Sequence, residues 1–309
     1  MGCQYQLNTY LRTVPQQRLL TSLPGKLLIR MPVTQHQIFP SYKKNEAGCK
    51  LINGTRLYYE VKGNGQPLVF IHDFALDHRM WDDQFHYFSK WYQCIRFDLR
   101  GYGQSALPGA ERYSYHNDLK SLLIELNVDE PVIIVGLSLG SLIAINFALQ
   151  FPNFTKGLVL ASPQVEGYTF RNFKLDAIFT RARDKGIDYA KRKWFAHPLF
   201  AQARKNKPLA ESIWQMIQFY SGWHLVDKTA AIIEESAAWE NLENITAPSL
   251  ILYGEFDITD FRELADAVVF RIPGTKKVVI PEAGHISNME SPVIFNRELQ
   301  NFLSTIPVD

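Results

Sequence analysis

Three side chains in this sequence have the types and the spacing for acyl-transfer chemistry. Ser138 lies in Gly136-Leu-Ser-Leu-Gly140, Asp257 in Tyr253-Gly-Glu-Phe-Asp-Ile-Thr259, and His285 in Pro281-Glu-Ala-Gly-His-Ile286. A serine hydroxyl is a weak nucleophile at neutral pH. It needs a base within hydrogen-bond reach, and the base needs an acid to orient it. His285 suits the base and Asp257 the acid, because each follows an apolar run that reads as a strand. Glu255 and Glu166 are rival acids, and Asp257 also suits the lead-in to a helix. The other histidines fit less well. His72 and His78 flank a loop, His86 and His116 lie in helix-like stretches, and His197 and His224 fall in a long segment without clear strands.

These residues need elements to hold them. Val132 to Val135 is a β-branched apolar run, and an apolar helix-like pattern begins directly after Gly140. A strand that turns sharply into a helix would present the Ser138 hydroxyl at the top of a sheet, and glycines two before and two after relieve the crowding there. Upstream, Cys49 to Ile52 and Arg56 to Val61 flank Asn53-Gly54 and read as a hairpin. Further strands are expected at Leu68 to Ile71, Gln93 to Phe97, Gly157 to Ala161, Ser249 to Tyr253 and Lys276 to Ile280. Helices are expected at Met80 to Phe88, Tyr115 to Leu126, Leu142 to Phe151, Ala190 to Arg204, Ala210 to Phe219, Phe261 to Val269 and Pro292 to Leu303. Short apolar strands alternating with helices predict an α/β fold with a mostly parallel, doubly wound sheet. The insertion at about 164–246 predicts a helical cap over the sheet's C-terminal edge, where such sheets bind ligands.

Acyl transfer also needs donors for the developing oxyanion. The amide of Leu139, first in the helix after Ser138, is one candidate. The amide of Phe74, in the loop after the Leu68 strand, is the other. With these in place, residues 48 to 309 resemble the α/β-hydrolase superfamily. The matching segments are His72-Asp73-Phe74, Met80-Trp81-Asp82-Asp83-Gln84, Asp98-Leu-Arg-Gly-Tyr-Gly-Gln-Ser105, Gly136 to Gly140, Gly254 to Asp257, and Gly284-His285 followed by Asn288-Met-Glu-Ser-Pro292. The order Ser138, Asp257, His285 is that of the family's triad. Within the family the chain is similar to lid-bearing esterases, enol-lactonases and perhydrolase-like members. The resemblance implies Ser138, Asp257 and His285 as the catalytic triad, Phe74 and Leu139 as the oxyanion hole, and a structural role for Arg100 and Gly101. It implies no metal and no cofactor. Asp73 departs from the pattern, for the family has glycine there. The carboxylate is expected to be tolerated by turning away or by pairing with Arg100 or Arg79.

The expected activity is hydrolysis of a small carboxylic ester or lactone through an acyl-enzyme on Ser138. A C–C bond hydrolase of diketones would use the same triad, and a ligand receptor would keep the fold without the chemistry. Family members that open epoxides or remove halide place aspartate where Ser138 stands. A net charge of +2 gives no argument for a nucleic-acid or membrane partner, which leaves a small-molecule substrate. Cys3, Cys49 and Cys94 show no paired or metal-binding spacing and suggest a reducing compartment, the cytoplasm. Residues 1–45 contain no acidic residue and read as a disordered extension, with Met31 as an alternative start. Between Arg171 and Lys207 eleven basic residues oppose three acidic ones, which reads first as a solvated helix face and second as attraction of an anionic substrate. Oligomeric state is left open.

Overall fold

Asn53 and Gly54 close a hairpin between β1 (Lys44–Ile52) and β2 (Thr55–Gly63). Their φ angles are 44° and 81°, the left-handed conformation that a two-residue hairpin turn requires. The structure, a computed structural model, describes residues 44–109, 111–174, 176–226 and 238–307. The expected leader lies outside these residues except for Lys44 and Asn45, which pair with Gly63 and Lys62 in the hairpin.

The remaining strands are β3 (Pro67–Ile71), β4 (Gln93–Phe97), β5 (Val132–Leu137), β6 (Thr155–Ala161), β7 (Ser249–Gly254) and β8 (Lys276–Ile280). They form one sheet in the order β1-β2-β4-β3-β5-β6-β7-β8. The pairings β1–β2 and β2–β4 are antiparallel, and every other neighbour pair is parallel. Strands β3, β5 and β7 are buried at every residue, as uninterrupted apolar runs demand when both faces of a parallel sheet are covered. Edge strand β8 exposes Lys276 and Lys277, charges that discourage pairing with another chain.

The helices are α1 (Asp82–Phe88), α2 (Tyr115–Glu125), α3 (Leu139–Gln150), α4 (Asp176–Lys185), α5 (Ile187–Phe195), α6 (Lys207–Phe219), α7 (Trp223–Val226), α8 (Thr259–Arg271), α9 (Ser287–Glu290) and α10 (Pro292–Leu303). The helix expected from Ala190 to Arg204 is shorter. It ends at Phe195, and two 3₁₀ turns follow at Pro198–Phe200 and Ala203–Lys205. Pro198 explains the break, since it lacks an amide proton and disfavours helix at the residue before it.

Helices α4 to α7 lie between β6 and β7 and form the cap. Three contacts seat this insertion over the sheet's C-terminal edge. Trp194 and Tyr220 pack on the ring of Phe74 beyond β3. Gln202 donates to the carbonyl of Glu282 beyond β8 at 2.6 Å. Ahead of α4, the amides of Asn172 and Phe173 donate to Asp260 of α8, each at 2.7 Å. Among the described residues no helix is long and apolar enough to cross a membrane.

Candidate active site

Ser138 ends the run out of β5 and starts α3, with φ 51° and ψ −108°. A non-glycine residue in this region stores about 1–3 kcal/mol of strain and persists only where its surroundings over-determine it. Here they do. Its amide donates to Ala161 at 2.9 Å, and its carbonyl accepts from the Ser141 and Leu142 amides. A Cβ on Gly136 would stand 2.2 Å from the Gly140 carbonyl oxygen, and one on Gly140 would stand 2.2 Å from the Ile71 carbonyl oxygen. Both glycines are therefore steric requirements of the turn.

Asp257 and His285 are brought together by their loops. The amides of Glu255 and Phe256, after β7, donate to Ile280 and Ala283, at the end of β8 and just beyond it, at 2.9 and 2.8 Å. His285 Nδ1 then lies 3.0 and 3.1 Å from the two Asp257 oxygens. This contact makes Nδ1 the protonated nitrogen and leaves Nε2 as an acceptor. Both side chains are buried, and His285 Nε2 has no hydrogen-bond partner. Burial alone would lower the pKa of His285. Asp257 first, then Asp73 and Glu290, outweigh it and raise the pKa above 6.5. Glu290 accepts from the Gly284 amide beside His285, and burial pushes its own pKa up to about 7. Spacing along the chain does not reveal Glu290's role, because its approach to His285 depends on the short helix α9 folding back.

Asp73 neither turns away from the site nor pairs with an arginine. Arg79 is held by Asp77 at 2.6 Å, and Arg100 by Asp118 at 2.5 and 2.7 Å. The Asp73 side chain points instead at the elbow. Its Oδ1 accepts from the Leu139 amide at 3.2 Å. The Ser138 hydroxyl and the Phe74 amide lie near enough to the carboxylate to work against the rise in its pKa. Its Oδ2 lies 3.8 Å from His285 Nε2. Burial raises the pKa of Asp73, and the positive field of His285 and these three donors offset that only in part.

The rival residues have other partners. Glu166 accepts from Asn146 at 3.0 Å, and Glu255 from the Glu282 amide at 3.1 Å. His72 bridges the Asp73 carbonyl and the Leu99 amide. His116 contacts Ser114, and His86 contacts Lys62. His197 accepts from the Leu199 amide, and burial lowers its pKa to about 4. His224 is ringed by the hydroxyls of Tyr113, Tyr115 and Tyr220. Asp77, His78 and Asp98 bring potential ligand atoms within 4.8 Å of one another. Their oxygens already hold Arg79, the His78 ring and amide, and the Gln104 amide, which braces the loops behind the site. Most of the cap's basic residues lie on its exposed face, including Arg183, Lys185, Arg192 and Lys193. That is the arrangement of a solvated surface.

A buried serine, histidine and aspartate at the C-terminal edge of a mostly parallel sheet, under a helical cap, define the class of the protein as an α/β hydrolase. A family model described as the alpha/beta hydrolase fold matches residues 66–292, and the chain belongs to that family. It is 26% identical over 269 residues to (E)-2-((N-methylformamido)methylene)succinate hydrolase of Acinetobacter baylyi, covering 84% of this chain and 98% of the relative. Among solved structures, a thermophilic esterase from Thermogutta terrifontis superposes with a TM-score of 0.74 at 25% identity, over 85% of this chain and 100% of that one. The enol-lactonase from Burkholderia xenovorans LB400 shares the fold with a TM-score of 0.71 at 21% identity, over 83% and 100% of the two chains.

Proposed function

We propose that the protein is a serine hydrolase of small carboxylic esters or lactones. The observation that carries this reading is His285, whose Nδ1 is held by Asp257 and whose buried Nε2 is free to accept a proton. In the proposed reaction Ser138 Oγ attacks the carbonyl carbon and its proton passes to His285 Nε2. The carbonyl oxygen becomes an oxyanion, which the Phe74 and Leu139 amides can bind. The tetrahedral intermediate expels the alcohol oxygen, which takes the proton from His285 and leaves an acyl group on Ser138. Water then attacks the acyl carbon, gives a proton to His285, and Ser138 Oγ recovers it as the acid departs. Each step uses only this chain's residues, the substrate and water.

The kinship with a hydrolase and the overlay on an esterase support the reading. The cytoplasm is the proposed location, since Cys49 and Cys94 are free thiols. The test is Ser138→Ala assayed with p-nitrophenyl acetate. Turnover should fall by about three orders of magnitude or more, as when the nucleophile of a triad is removed. Thermal unfolding should show the variant still folded. Undiminished turnover would refute the proposal.

A further inference from the structure

We propose that Asp73 is a built-in occupant of the oxyanion site, a gating side chain that a substrate carbonyl must displace before Ser138 can attack. The inference rests on the serine hydrolase reading above. Four groups that acyl transfer needs all face this one carboxylate. The Leu139 amide donates to it at 3.2 Å and His285 Nε2 lies 3.8 Å from its second oxygen, while the Phe74 amide and the Ser138 hydroxyl lie near enough to oppose the rise in its pKa. An oxyanion of the tetrahedral intermediate would take its hydrogen bonds from the same two amides. The carboxylate oxygen therefore stands where that charge would develop. It is fixed there by burial, since Asp73 is 1% exposed.

Two consequences follow. A charged carboxylate receives stronger hydrogen bonds than a neutral carbonyl, so the anionic form of Asp73 competes well for the hole. A protonated Asp73 is a poorer acceptor and yields more easily. Burial favours that neutral form, and it also places Asp73 and His285 in competition for one proton. With the proton on His285 the base is spent and the hole is filled. With the proton on Asp73 the base is free and the hole can open. At higher pH neither holds it, and the charged carboxylate stays in the hole. The groups that set this balance are Tyr102 beyond β4, His72 through the Asp73 carbonyl, and Asp257, Glu290 and His197 around His285. Arg79 and Arg100 take no part, being paired elsewhere.

The test compares the wild type with Asp73→Gly and Asp73→Asn, each checked for folding by circular dichroism. A fluorophosphonate probe measures Ser138 reactivity, and p-nitrophenyl acetate gives kcat/KM across pH. Asp73→Gly should label faster at pH 8 by about tenfold or more, since opening two oxyanion donors is worth at least what one donor is worth. Its acid limb should move to lower pH, because a negative neighbour of His285 is gone, and its alkaline side should be flat. Asp73→Asn keeps the size without the charge and should recover part of the gain. Should both variants label no faster than a reactive wild type, with the pH profile unmoved, the gate is wrong and the serine reading stands. Should no folded variant label at all, the serine reading fails and the gate with it.

Discussion

Asp257 illustrates how much one side chain can set at this site. It holds His285 Nδ1 at 3.0 Å and is the largest influence raising the His285 pKa. Replacing it with asparagine keeps the shape and removes the charge. Burial then dominates, so the His285 pKa falls and the acid limb of kcat/KM moves down in pH. The same change favours the wrong tautomer of the imidazole, and kcat should drop by about four orders of magnitude. A pH–rate profile with p-nitrophenyl acetate checks both signs; an unmoved limb would show that Asp257 does not face the working base. The three residues of this group were legible because each follows an apolar strand in chain order. The direction of the Asp73 side chain was not, because spacing along the chain says nothing about which rotamer a buried loop residue takes.

At the scale of elements, the strands and most helices could be read directly. Pro67–Ile71, Val132–Leu137 and Leu250–Tyr253 are short apolar runs, and the strands they form are buried at every residue. Cap helix α4 escaped the reading because its apolar residues are few and its surface is basic. The cap's seat on the core was also hidden, since it depends on rings far apart in sequence. Tyr220 and His224 of the cap stack on Tyr102 of the core at 4.8 and 4.5 Å, and the Tyr220 hydroxyl lies 3.1 Å from His224 Nδ1. Tyr220 is fully buried and its hydroxyl also accepts from the His224 amide at 3.2 Å, so Tyr220→Phe removes two hydrogen bonds without opening a cavity. The expected cost is about 2 kcal/mol of stability. Denaturant unfolding measures it, and an unchanged midpoint would mean that the Tyr220 hydroxyl contributes nothing to seating the cap.

For the whole molecule, the buried site should impose a pH dependence on folding. Burial lifts the Glu290 pKa from 4.5 to about 7. His285 and Asp73 are also raised in the folded protein. A group whose folded pKa is raised binds its proton more tightly when folded. Its contribution is complete below the unfolded pKa and is lost as pH climbs through the folded one. For Glu290 that window runs from 4.5 to about 7, and the loss is worth up to about 3 kcal/mol. Groups such as Glu60 and Asp77 work in the opposite sense, since their lowered pKa values make acid the threat. Stability should therefore peak in mildly acidic solution and decline toward pH 8. Glu290→Gln keeps an acceptor for the Gly284 amide and removes the charge, so it should flatten the decline and raise the melting temperature at pH 8. Calorimetry at pH 5.5 and 8 tests this. If the variant and the wild type lose the same stability between those values, the Glu290 carboxyl does not titrate against folding.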